Sequence, residues 1–248
     1  MTKSDVKYIQ SLVHKKHRLE EGLFVVEGVK MVDELLSDYP ERIKTLYATR
    51  NWINAHEKFT KSHFPIVEVD EKDLERITFL QTPNEVLALV SLPEEDQGPL
   101  SDTGIILVLD QLQDPGNLGT IIRTADWFGV KKIFCSPDTC DAYAPKVVQS
   151  SMGSLMRMDI KYIELESFLA SVNGLSIYSA ELSGRSVFEV NFNEPLVLVI
   201  GNESRGVSAS ISDLANEKIM IPRFGDAESL NASIATGIIL SHIKRGII

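Results

Sequence analysis

Three short stretches of the chain combine residue types able to hold a charged ligand and reach one of its atoms. The first is Asp114-Pro115-Gly116-Asn117, turn chemistry that runs into a helical pattern. In that pattern Leu118, Ile121, Ile122, Ala125 and Phe128 share one face. Arg123 falls on the opposite side, near Gly116 and Gly119, where small residues let a backbone, a phosphate or another chain approach a guanidinium. Taken alone, Arg123 also reads as an ordinary exposed helical arginine. The second stretch is Gly201-Asn202-Glu203-Ser204-Arg205-Gly206, directly after the apolar run Leu196–Ile200. Its glycine spacing is that of a phosphate loop, but Val207-Ser208 stand where Lys-Ser/Thr is required. Glu203, an acid at a strand end between two glycines, is the site candidate there. The third stretch runs from Ile221-Pro222 to Ser229-Leu230-Asn231-Ala232-Ser233. Either Ser229 or Asn231 suits the cap of the helix that follows. That helix repeats apolar residues at Ile234/Ile238 and Ala235/Ile239, a face that packs against a core or a partner subunit.

Other chemistries fit poorly. The five histidines (14, 17, 56, 63 and 242) lie outside all three stretches, which disfavours a Ser–His–Asp hydrolase. There is no G-x-S-x-G elbow. No G-x-G-x-x-G follows a strand, so a dehydrogenase with a standard dinucleotide site is disfavoured. Cys135 and Cys140 have the wrong spacing for common zinc sites, Cys135 reads as a buried thiol, and no metal site is expected.

Each stretch must be positioned by a strand before it and a helix after it. From residue 105 the pattern alternates: strand Ile105–Leu109, helix 116–128, strand Lys132–Cys135, helix 144–155, strand 160–164 and helix 165–172. It continues with strands Ser176–Ala180 and Leu196–Ile200, helix 208–215, strand Ile219–Ile221 and helix 231–245. The continuous apolar strands predict an α/β domain over 105–248, with a mostly parallel sheet covered by helices on both faces. In such sheets ligands sit at the carboxyl ends of the strands. Residues 1–92 read as a small α/β domain: helix 4–17, strand Leu23–Val26, helix 28–36, strand Ile43–Ala48, helix 52–59, strand Ile66–Val69, helix 71–77 and strand Glu85–Leu92. Residues 93–104, rich in Pro, Gly and acids, read as a linker.

The 248 residues are 44% hydrophobic and 24% charged, the balance of a soluble globular protein. The longest uninterrupted apolar runs fall far short of the roughly 20 residues that span a membrane, so no membrane partner is expected. The N-terminus lacks the apolar region of a secretory signal, and two cysteines make no disulfide framework. Together these point to the reducing cytoplasm. The net charge of −10 weighs against a protein that simply coats nucleic acid. Residues 1–18 are the exception. Lys3, Lys7, Lys15, Lys16 and Arg18 stand there against the single acid Asp5, with His14 and His17 beside them. This is either a solvated helix face or an arm that contacts phosphates.

Taken in order, the three stretches resemble the three motifs of the SpoU-type (TrmH-like) RNA ribose 2′-O-methyltransferases of the SPOUT superfamily. Asn117 with Arg123 looks like the first motif, Gly201–Gly206 the second, and Ile221-Pro222 through Ser233 the third; the match spans 105–245. Residues 8–36 are similar to the ribosomal-protein-like RNA-binding domain that precedes the catalytic domain in many members. The resemblance implies S-adenosylmethionine as cofactor, structured RNA as substrate, a C-terminal trefoil knot and a homodimer formed through the C-terminal domain. It implies Arg123, Asn117, Glu203, Ser229 and Asn231 as catalytic-site residues. Gly201, Ile221 and Leu230 would contact the cofactor, and Lys15, Lys16 and Arg18 the RNA. Large-subunit ribosomal RNA is the expected substrate, with transfer RNA as the alternative. A non-catalytic RNA-binding or ribosome-assembly factor is a further reading, disfavoured because such a protein need not keep the five site residues.

Overall fold

A computed structural model describes residues 1–57, 63–94 and 104–245. The chain forms two compact units, Met1–Glu95 with Tyr143–Gly153, and Asp96–Ala142 with Ser154–Ile248. All but the ends of the stretch expected as a linker lies outside the described residues.

The first unit begins with two helices, α1 (Lys3–Ser11) and α2 (Lys15–Glu21). It continues with β1 (Leu23–Glu27), α3 (Val29–Asp38), β2 (Ile43–Ala48), α4 (Arg50–Ala55), β3 (Ile66–Glu68), α5 (Glu71–Ile77) and β4 (Val86–Ser91). The sheet order is β1-β4-β2-β3, with β4 antiparallel to both neighbours and β3 parallel to β2. Val6, Ile9 and Leu12 join Val25, Val69, Leu74, Ile77, Leu87 and Leu89 in its core.

The single helix expected over 4–17 is broken at 12–14, and Arg18 explains the break. Its Nη1 donates to the carbonyls of Leu12 and Val13 at 2.7 and 2.8 Å, satisfying groups that the end of α1 leaves without helical partners. Arg18 is 3% exposed. The expectation that it contacts RNA is therefore corrected: its guanidinium is spent inside the unit, holding the turn. Lys15 and Lys16 are exposed on α2, and Lys16 lies 3.7 Å from Glu20.

The second unit holds β5 (Ile105–Leu109), α6 (Pro115–Trp127) and β6 (Lys132–Cys135). After α7 (Pro145–Ser151), which packs in the first unit, come β7 (Asp159–Tyr162), α8 (Leu165–Ser171), β8 (Ser176–Ser186), β9 (Leu196–Ile200), α9 (Ala209–Ser212), β10 (Glu217–Met220) and α10 (Ala232–Arg245). The sheet order is β10-β8-β9-β5-β6-β7, and every neighbouring pair is parallel. Every residue of β5 and β9 is buried, as the unbroken apolar runs require. One face packs Ile106, Val108, Val197 and Val199 against Leu165 and Leu169 of α8 and Ile211 of α9. The helices α6 and α10 lie side by side, and a Cβ on Gly237 of α10 would stand 3.7 Å from Thr124 of α6. The α/β fold with a parallel sheet is as the sequence predicts; α9 is shorter than expected and β8 longer.

Replacing Arg18 by alanine leaves the carbonyls of Leu12 and Val13 without their charged donor, and should cost about 1–3 kcal/mol of stability. Urea unfolding of the variant beside wild type measures this, and an unchanged midpoint would show that the turn holds without the guanidinium.

Candidate active site

The site is built from the loops that leave the carboxyl ends of β5, β9 and β10. Asp114 caps α6, its Oδ1 accepting from the Asn117 amide at 2.8 Å, with Pro115 in the first turn. This fixes Asn117 on the first turn of α6. At the other end of the unit's sequence Asn231 caps α10. Its Oδ1 accepts from the Ser233 amide at 2.9 Å and from the Ser233 hydroxyl at 2.6 Å. With that oxygen committed, the Asn231 Nδ2 is left to donate, and it reaches the Asn117 Oδ1 at 2.8 Å. Asn117 Nδ2 then donates to Glu203 Oε1 at 3.0 Å. Each amide has one acceptor and one donor end, so the cap of α10 sets the direction of the whole chain, which ends on a carboxylate.

The loop after β9 is held almost entirely by its own backbone and Asn202. The amides and carbonyls of Asn202 and Gly206 bond reciprocally, both at 2.9 Å. The Asn202 Oδ1 accepts from the amides of Ser204 and Arg205 at 2.9 and 3.1 Å. Its Nδ2 donates to the Gln111 carbonyl at 2.8 Å, which ties this loop to the one after β5. Asp110 adds a second tie, its Oδ2 accepting from the Ser208 amide at 2.7 Å. The turn closes so tightly that a Cβ on Gly201 would stand 2.2 Å from the Gly206 carbonyl carbon and the Val207 nitrogen. Glycine is required there by close approach.

The structure thus brings together Asn117, Glu203 and Asn231, one from each stretch. Ser229 is exposed and has no hydrogen-bond partner among the described residues. Gly201 is buried, Ile221 half-buried, and Leu230 is 45% exposed. Arg123 lies nearly two turns along α6 from Asn117. It is exposed, and among the described residues it makes no hydrogen bond or ion pair. Four residues from it, Trp127 is 84% exposed. Lys15, Lys16 and Arg18 belong to the other unit.

Cys140 lies in the field of this site. Burial first, then the negative charges of Asp114, Glu203 and Asp141, push its thiol up to about 12, so it stays protonated at neutral pH. Asn202 and Asp110 serve as ties between loops and were not among the residues expected from sequence. Asp110 directly follows a fully buried strand, a signal that was available; the reach of Asn202 to a carbonyl 91 residues earlier had none.

Substituting Asn117 by aspartate sets a carboxylate against Glu203 in place of a donor. The expected loss is about 1–3 kcal/mol of stability at neutral pH, and Glu203→Gln in the same background should recover most of it by supplying the missing donor. Thermal melts of the two single variants and the double variant check this; simple additivity would mean the contact is not formed.

Residues 104–241 match the SpoU rRNA Methylase family, and residues 3–88 match the MRM3-like substrate binding domain. A 23S rRNA (guanosine(2553)-2′-O)-methyltransferase, RlmP, of Bacillus subtilis is 29% identical across 96% of this chain and 95% of its own. Among solved structures, a TrmH-family protein from Porphyromonas gingivalis superposes with a TM-score of 0.88 at 38% identity, covering 99% of both chains. An AdoMet-bound rRNA methyltransferase from Sinorhizobium meliloti gives 0.87 at 32% identity, covering 100% of this chain and 97% of the other. The family model covers more than half of the sequence and contains all three stretches, and the protein belongs to the SpoU rRNA methylase family.

Proposed function

We propose that this protein transfers the methyl group of S-adenosylmethionine to a ribose 2′-hydroxyl of structured ribosomal RNA of the large subunit, acting in the cytoplasm as a homodimer joined through its C-terminal domain. The observation that carries the reading is the bonded chain Asn231–Asn117–Glu203, which joins the three loops at the carboxyl ends of parallel strands. The Bacillus subtilis relative, aligned over nearly its whole length, supports a ribosomal substrate.

The residues present suit this cofactor. Gly201 offers backbone without a side chain, while half-buried Ile221 and open Leu230 offer apolar surface for a purine. The carboxylates that raise Cys140 (Asp114, Glu203 and Asp141) make a negative field that accommodates a sulfonium. When bound, S-adenosylmethionine supplies a methyl group already activated by positive sulfur. What remains for the protein is alignment of the acceptor oxygen and help with the departing proton. Alignment contributes up to about 7–11 kcal/mol in well-oriented model reactions.

Arg123 is the residue assigned to the acceptor. A guanidinium with a pKa above about 12 is a poor proton acceptor at neutral pH, so its role is to bind the adjacent phosphate and polarise the hydroxyl. That it is exposed and makes no hydrogen bond or ion pair among the described residues, beside exposed Trp127 on α6 and Ile234 on α10, favours a site completed by the second copy of the dimer. Asn117 and Glu203 hold the loops in place. Asn231 ties the third loop to the first, and Ser229, open on that loop, is assigned to contact with bound ligand. The reach of that loop past β8 and β9 is consistent with the trefoil knot that family resemblance implies. Residues 1–92 are assigned to gripping the RNA fold, 93–104 to linking, and 105–248 to catalysis.

Arg123→Ala should abolish methyl transfer while leaving cofactor affinity within about twofold, since the arginine acts on the acceptor. Ribose-methylation mapping of total RNA from a strain lacking the protein tests substrate and role together. A ribosomal site should disappear, and return with the wild-type gene but not with Arg123→Ala. Loss of a transfer-RNA site instead, or a fully active Arg123→Ala enzyme, defeats the corresponding assignment. Alanine at Lys15 and Lys16 should weaken RNA binding and flatten its salt dependence by about one phosphate contact per lysine. A salt titration of RNA affinity that matches wild type would remove α2 from the interface.

A further inference from the structure

The turn that carries the site out of β5 depends on two hydroxyls that belong to none of the three motif loops. Gln111 has a φ of +55°, a left-handed conformation that a side chain with a Cβ rarely adopts and that surrounding structure must enforce. Strand order shows what enforces it. β5 lies between β9 and β6, so the turn after Leu109 is flanked on one side by the Asn202 loop and on the other by the turn after Cys135. On that second side, Ser136 and Thr139 are 7% and 3% exposed. The Gln111 amide donates to Ser136 Oγ at 2.8 Å, and the Leu112 amide donates to Thr139 Oγ1 at 3.2 Å. Thr139 Oγ1 donates its one proton to the Leu109 carbonyl at 3.2 Å. The 3.0 Å contact between the two hydroxyls is then a bond from Ser136 to Thr139. The amides of Gln111 and Leu112 are thus paired by two buried side chains, where leaving them unpaired is costly, while the Leu109 carbonyl accepts from Thr139 and also from the Ser136 amide at 3.0 Å.

The turn so held presents the Gln111 carbonyl to Asn202 Nδ2, and the same Asn202 side chain shapes the loop bearing Glu203 through Ser204 and Arg205. We infer that Ser136 and Thr139 are positioning residues for the transfer reaction, setting the Gln111 turn that aims Asn202 and, through its loop, the Glu203–Asn117–Asn231 chain. Both hydroxyls act through backbone groups of the turn. Their function is to remove the freedom of a left-handed turn on which two of the three loops converge. A displacement of about 1 Å there is enough to cost up to about 100-fold in rate without any change in which residues are present.

The inference rests on the methyl-transfer reading above, and its test separates the two. Full-length wild type, Thr139→Val and Thr139→Ser are compared, valine being isosteric but without the hydroxyl and serine keeping it. Amide hydrogen exchange is measured over residues 110–114 and 202–206. Single-turnover transfer is measured from tritiated S-adenosylmethionine to ribosomal RNA taken from a strain lacking the protein. Thr139→Val should lose protection in both segments and slow transfer by about 10–100-fold with RNA affinity little changed, and Thr139→Ser should restore both. A Thr139→Val enzyme as fast as wild type overturns the inference. So does an exchange change that stops at 110–114 and never reaches 202–206. Should Thr139→Val fail to fold, Ser136→Ala is held to the same two criteria. Wild type that transfers nothing to this RNA refutes the functional reading instead, while transmission of exchange from Thr139 to 202–206 still decides whether the two turns are coupled.

Discussion

The site stands on one side-chain amide. Asn117 accepts from Asn231 and donates to Glu203, so a single planar group fixes the distance between loops that leave three different strands. An amide suits this position better than an acid or a hydroxyl. It offers a fixed acceptor and a fixed donor pointing apart, and its orientation is set by what each neighbour has left to give. Asn231 has only its nitrogen free because its oxygen caps α10, and Glu203 as a carboxylate only accepts. Helix capping and site assembly are therefore one event: the bond that starts α10 also sets the polarity of the chain that closes the site.

Parallel sheet geometry makes such an arrangement available. Every strand of the six-stranded sheet runs the same way, so the loops after β5, β6, β9 and β10 all emerge at one edge. Strand order then decides which loops are neighbours. The loop after β5 meets those after β9 and β6 directly, and receives ties from Asn202 and Asp110 on one side and from Ser136 and Thr139 on the other. The loop after β10 has no such adjacency, since β8 and β9 stand between β10 and β5. It reaches the first loop through the length of its own chain, from 221 to 231, and Asn231 is the contact that makes the reach specific.

Charge tells a similar story. The chain is acidic overall, and its first eighteen residues are basic. Within that basic segment the structure separates charges that the sequence lists side by side. Lys15 and Lys16 face outward from α2, whereas Arg18 is turned in to hold the carbonyls of Leu12 and Val13. The difference is chemical as well as positional. A guanidinium has several donors in a rigid plane and tolerates burial against carbonyls, while an ammonium on a flexible stem is better left hydrated.

Local rules were enough for much of this protein. Unbroken apolar runs identified β5 and β9 as strands buried on both faces, turn residues marked the start of α6, and strand–helix alternation gave the parallel α/β unit. Glu203 was legible as an acid at a strand end and Asn231 as a cap candidate, whereas Asn117 read only as turn chemistry until the family resemblance gave it a site role. The break in the first helix, the burial of Arg18 and the left-handed turn at Gln111 were not. Each depends on partners that are distant in sequence or on the far side of a turn, and no periodicity records them. Arg18 reads as a surface cation until two carbonyls need it, and Ser136 and Thr139 read as ordinary turn residues until the amides of Gln111 and Leu112 are brought against them. Sequence sets which groups are available; only packing decides which unsatisfied backbone group each of them must serve.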